Sequence, residues 1–452
     1  MSFQQEPPLT LLGVRRMMEG VVPPSICTVS AEGMPNVAYL SLAEYVDPQH
    51  LALTFQFFNR TRENVLATRR ASLTLDDPYT GAGVVLQLEY QRTETSGPTF
   101  ERLWAKLAGV ASHMRMDKVF KLRGVDIYKV TELRRVPGRH ELPAALPRVD
   151  LAANSRVVSE RIAACEDMDT LLHALMNGLA ELLRIDHAIL WLLDTSGTLT
   201  VLASRGYEIG GVGAEITIGE GLVGTAVREG VPIRVGHMMN MQTYGRAVRD
   251  RASELGLDFS VVQEIPLPGL KEPRSQLAVP LRARGRVLGA LFVESLHDQY
   301  FGYDDEDALM LLCGQLAVSL TLMHTSETEV PEPAVAPALP NISGPPLKLR
   351  RFSADNSMFL DDRYLIRGVA GAILWKIAGE FIRSGKCEFT NRELRMASDL
   401  RLPDVQDNLE VRLVLLHRRL AEQRSPVQIE KIGRGRWRLS IERPLVLEEA
   451  KS

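Results

Sequence analysis

Three short stretches of this chain carry residue types able to hold an anion. In the first, Phe55-Gln56-Phe57-Phe58-Asn59-Arg60-Thr61-Arg62-Glu63-Asn64-Val65, a β-type run passes into a helix whose start gathers Asn, Thr and two arginines. A helix start offers free N–H groups and the positive end of a dipole, and guanidinium and hydroxyl groups added to it make a phosphate site. In the second, Gly219-x-Gly221-x-x-Gly224 lies between a strand and a helix, the spacing of a dinucleotide-binding fingerprint. That fingerprint needs an acidic residue ending a second strand about 20 residues later. This chain instead runs Val231-Pro232-Ile233-Arg234-Val235-Gly236-His237, so another use of the glycines is expected. In the third, a helical run places Leu409, Leu413, Leu416 and Leu420 on one face and leaves Gln406, Asn408, Arg412 and Arg419 on others. After it, VQIEKIGRGRWRLSI alternates apolar and basic residues around Gly433-Arg434-Gly435-Arg436, a hairpin with a basic tip. Asn and Gln can read adenine, and Arg can read guanine or grip phosphate.

Other chemistries lack their residues. Cys27, Cys165, Cys313 and Cys387 form no C-x-x-C pair, and the nine histidines include no H-E-x-x-H, so a protein-held metal has little support. The methionines and histidine at His237, Met238, Met239 and Met241 could ligate heme or copper, or fill gaps over a groove. There is no G-x-S-x-G, P-loop or kinase signature.

The elements that must position these stretches divide into three. At 452 residues the chain is long for one domain, and its 45% hydrophobic and 24% charged content is that of a globular protein. Proline-rich seams at Pro137 to Pro147 and Glu329 to Pro346 read as linkers. The expected plan is a first domain over 1–136, a linker 137–159, a second domain over 160–326, a linker 327–346, a third domain over 347–443 and a tail 444–452. Net charge is −3, but Pro346 to Arg443 holds 20 Lys and Arg against 13 Asp and Glu, a basic region that would attract a polyanion. Apolar runs such as Leu309 to Val318 are broken short of the roughly 20 residues that cross a bilayer. The N-terminus shows no secretory signal, so a cytoplasmic protein with no membrane segment is expected.

Short β runs from Ser25, the Arg60-Thr61 step, Asn64 and the Arg70-Ala71-Ser72-Leu73 strand resemble the pyridoxamine 5′-phosphate oxidase-related, FMN-binding split-barrel family over roughly Leu9 to Val136. The resemblance implies flavin contacts from Thr54, Gln56, Asn59, Arg60, Thr61 and Arg62, with heme, another flavin-like cofactor or no cofactor as alternatives. I-G-E-G-L-V-G, then L-A-V-P-L, then the G-A-L-F-V-E strand and a closing helix resemble a GAF domain over Arg161 to His324. This implies an antiparallel sheet with helices on one side, a small-molecule pocket walled by Gly236 to Leu257, and a dimerisation platform. Three helices and the I-G-R-G-R-W-R-L hairpin resemble the winged-helix effector domain of response regulators over about Leu347 to Ile441. There the resemblance implies DNA contacts from Gln406, Asn408, Arg412, Arg418, Arg419, Arg434 and Arg436; Asp404, Asp407 and Glu410 stand against it, since acids near a groove-facing helix start repel phosphate.

The fold class expected is therefore multidomain α+β: a split β-barrel, a GAF-type α/β sheet sensor and a winged helix. The function expected is a one-component transcriptional regulator, a homodimer that senses a flavin, redox state or small ligand and binds double-stranded DNA. An FMN-dependent oxidoreductase with regulatory domains, or a signalling scaffold that binds proteins and no DNA, are the alternatives.

Overall fold

The alternation of apolar residues in the first unit sorts a sheet into two faces. The computed structural model describes residues 9–18, 23–40, 42–55, 60–77, 81–113, 122–136, 149–194, 196–236, 265–325, 344–397, 400, 409–433 and 435–450. Strands β1 (Ser25–Val29), β2 (Pro35–Tyr39), β3 (Ala43–Asp47), β4 (His50–Phe55), β5 (Arg70–Asp76), β6 (Gly83–Glu94) and β7 (Gly124–Val136) form an antiparallel sheet in the order β2-β1-β5-β6-β7-β4-β3. Leu51 and Leu53 join Ile26, Leu73 and Leu86 in one core. Ala52 turns the other way, with Val125, Ile127 and Leu103 of helix α2 (Pro98–His113). Helix α1 (Arg60–Thr68) joins β4 to β5, where the sequence places it.

The second unit is a six-stranded antiparallel sheet, β10-β9-β8-β13-β12-β11. Its strands are β8 (His187–Leu193), β9 (Thr198–Arg205), β10 (Glu215–Thr217), β11 (Ile233–Val235), β12 (Ser275–Ala283) and β13 (Arg286–Ser295). Helices α3 (Leu151–Ala163), α4 (Met168–Glu181) and α6 (Tyr303–Thr325) cover one face, over Leu190, Leu277, Val279, Leu291 and Val293. Helix α5 (Gly221–Glu229) packs on the other with Ile189, Trp191, Ala278 and Phe292. The expectation of helices on one side is thus corrected, because β12 and β13 are apolar on both faces and both need cover. Helix α3 begins inside the expected linker 137–159, capped by Asp150, whose side chain accepts from the Ala153 amide at 2.9 Å. Within α6, Tyr303–Met323 is long and apolar enough to cross a membrane by length and composition, and half of it is buried inside this fold. In this fold it lies against β12 and α3.

The third unit has a four-stranded sheet, β16-β15-β14-β20, from β14 (Leu347–Phe352), β15 (Ser357–Leu360), β16 (Arg363–Ile366) and β20 (Leu445–Ala450). Residues 444–452, expected as a tail, supply β20, which pairs in parallel with β14 from Leu347 opposite Leu445. Between these ends come α7 (Gly368–Ser384), β17 (Glu388–Thr390), α8 (Asn391–Met396), α9 (Leu409–Glu422) and the hairpin β18 (Val427–Gly433) with β19 (Arg436–Ile441), which β17 extends to three strands. Tyr364 to Ile366 belong to strand β16, which runs directly into α7. A capping box between Thr390 and Glu393 starts α8.

Candidate functional site

At the start of α1 the expected phosphate ligands are mostly committed to the fold. Arg62 Nη1 donates to both carboxylate oxygens of Asp126 at 2.7 and 2.6 Å, and Nη2 donates to Thr93 Oγ1 at 3.2 Å. Its guanidinium lies 3.6 Å from the centre of the Phe55 ring. Thr61 is buried and accepts from Asn36 Nδ2 at 2.9 Å, while Asn64 donates to Thr28 at 3.1 Å, so both tie α1 to the β1–β2 hairpin. Thr54 is buried as well, exchanging hydrogen bonds with the Leu42 backbone. Arg60 is exposed; Gln56 and Asn59 lie outside the described residues. Of the four described residues, Thr54, Thr61 and Arg62 have hydrogen-bond partners within the protein and Arg60 is exposed. Sequence reasoning missed the partner, Asp126, which sits 64 positions away.

In the second unit the glycine motif has a structural use. Gly219 (φ +88°) and Gly221 (φ +60°) make the turn into α5, and a Cβ on Gly224 would stand 2.7 Å from the Thr217 carbonyl oxygen. On the α5 face of the sheet, His187, Glu294 and Gln276 lie opposite one another across β8, β13 and β12. Glu294, 2% exposed, accepts from the Leu270 amide at 2.7 Å and from Gln276 Nε2 at 2.9 Å. Burial pushes its carboxyl up despite these bonds. The Tyr207 phenol, also pushed up by burial, stands beside Glu294, and its ring meets that of His187 at 5.6 Å. Trp191 Nε1 is buried on the same face with no partner among the described residues. A glutamate in the apolar run of β13 was the available signal. The pocket wall expected at Gly236 to Leu257, with His237, Met238, Met239 and Met241, lies beyond Gly236 outside the described residues.

In the third unit the arginines expected to meet DNA meet acids. Arg418 donates to Asp169 Oδ1 of α4 from Nε at 3.1 Å and Nη2 at 2.8 Å. Burial opposes it, yet the Arg418 hydrogen bond and charge hold Asp169 below the usual carboxylate range. Arg419, 8% exposed, donates to the Leu365 carbonyl at 2.9 Å and to Glu422 at 3.0 Å. Arg436 and Arg438 both bind Glu388, whose carboxyl they hold low. Arg412 is half-buried. Gln406, Asn408 and Arg434 lie outside the described residues, as do Asp404 and Asp407; Glu410 pairs with Lys431.

Residues 167–320 match the family model of the GAF domain, so the six-stranded unit is a GAF domain, about a third of the chain. No curated protein matches. Among solved structures, the chain is similar to the GAF domain of an Acinetobacter phosphoenolpyruvate-protein phosphotransferase at 22% identity, covering 39% of this chain and 95% of that one, TM-score 0.31. It is similar to an FMN-binding protein from Syntrophomonas wolfei at 17% identity, covering 30% and 88%, TM-score 0.24. It is also similar to a free methionine-R-sulfoxide reductase from Neisseria meningitidis, solved with its substrate, at 19% identity, covering 41% and 99%, TM-score 0.31.

Proposed function

We propose that this chain is a ligand-sensing transcriptional regulator whose GAF domain is the input and whose C-terminal unit is a winged-helix output for double-stranded DNA. The observation that carries the reading is the direct packing of α9 against α4 of the GAF domain, with Arg418 on Asp169, which gives a change in the sensor a short route to the output. The order of three helices and a basic hairpin, and the excess of Lys and Arg from Pro346 to Arg443, support DNA as the target. A small molecule would sit on the α5 face, where the buried Trp191 Nε1 has no partner among the described residues. Leu311, Val318 and Leu322, exposed along α6, support a homodimer. The barrel acts on the sensor through α2, which packs on α5 and brings Trp104 under Arg228.

The test is fluorescence anisotropy with a mixed-sequence duplex. Binding should weaken by about a hundredfold between ~50 and ~200 mM salt for about four phosphate contacts. No binding at the lower salt would sink the DNA output.

A further inference from the structure

We infer that the GAF domain presents an acidic face that competes with DNA for the arginines of the C-terminal unit, so that the arrangement seen here is a closed state. This rests on reading that unit as DNA-binding. Helix α9 is buried on two sides, while Glu410, Arg412, His417 and Arg418 are half-buried and Ala421 and Glu422 at its end are exposed. Leu409, Leu413, Leu416 and Leu420 face its own core, and on the opposite side Val411, Val414 and Leu415 are only 9%, 1% and 3% exposed. A helix that reads a major groove must present a free polar side, and here the polar residue Arg418 is held by Asp169 of α4.

The GAF domain supplies part of that cover through α4. Two of its carboxylates reach across: Asp169 accepts twice from Arg418, and Glu215 of β10 accepts from Arg367, the residue before α7. The seam is tight at Gly210, where a Cβ would stand 2.5 Å from a Glu422 carboxylate oxygen. A guanidinium meets carboxylate and phosphate with the same fork of donors, so an arginine held by Asp169 is withheld from a DNA phosphate. A ligand opens the seam only by binding the open state better than the closed one.

The experiment compares the full chain with Asp169→Lys/Glu215→Lys, which repels both arginines. Gly210→Glu is the second variant, setting a new carboxylate against Glu422 while leaving both arginine partners in place. Hydrogen exchange of the α9 peptides and anisotropy on the mixed-sequence duplex are read together. Both variants should exchange faster at α9 and bind DNA at least about tenfold tighter, about 1.4 kcal/mol. Glu215→Lys with Arg367→Glu, which restores one pair, should bring both readouts back toward the parent chain. Unchanged exchange with DNA affinity equal to the parent's overturns the closed state and leaves the DNA output standing. Faster exchange with no DNA binding by any of the proteins overturns the DNA output, and the competition with it.

Discussion

Two arginine–aspartate pairs, one inside the N-terminal sheet unit and one between units, occupy positions where the sequence placed anion-binding arginines. Arg62 and Asp126 leave only 12% and 6% of their side chains exposed, and Phe55 and Thr93 complete the enclosure. Arg418 and Asp169 leave 19% and 38% exposed and join separate units. The first pair cannot part without leaving a charge in an apolar interior, so it behaves as architecture. The second parts into water at small cost, so it can serve as a contact that opens. Burial of the partner, more than the identity of the arginine, separates the two roles.

The sharpest way to break this comparison is Arg62→Ala, which strands Asp126. It should cost about 3–5 kcal/mol in urea unfolding, while Arg62→Met with Asp126→Leu should recover most of that loss. Equal losses for the single and double variants would mean that the pair itself, rather than the stranded charge, sustains the N-terminal sheet. Glu294→Ala comes next, because it leaves the Leu270 amide and Gln276 unsatisfied; about 2 kcal/mol should be lost in thermal unfolding. Asp169→Asn should cost no more than about 1 kcal/mol, and that cost should shrink at high salt. A cost comparable to that of Arg62→Ala would erase the distinction.

The smallest effect is on pH. Asp169 lies below its ordinary value of 3.8 in the folded state, so its contribution is fully present above that value and fades as pH falls through the lowered one. Glu294 runs the other way. Its folded carboxyl is raised above 4.5, so its contribution is present below 4.5 and is lost as pH rises through the raised value. Stability measured from pH 3 to 8 on Asp169→Asn and Glu294→Gln should show each variant removing its own slope.

Much of the plan was legible in the chain. The alternation in HLALTF and the leucine spacing of α9 carry enough periodic signal to place a strand and a helix, and the GAF motifs fall in the order that the family model matches over 167–320. The sites were less legible. Arg60, Thr61 and Arg62 have the right types at a helix start, but nothing near them in the chain announces Asp126, Asn36 or Thr93. Likewise β20 read as a tail, since a short apolar run becomes a strand only when β14 offers it an edge.

The sequence by itself determined that a strand leads into the helix at Arg60, that the GAF motifs run in order through the middle of the chain, and that basic charge gathers near the C-terminus, because those follow from local pattern and composition. Only the tertiary structure decided what the arginines do. A guanidinium is committed or available according to which carboxylate the fold brings within about 3 Å, and partners 64 and 249 positions away are set by packing rather than by neighbours in the chain.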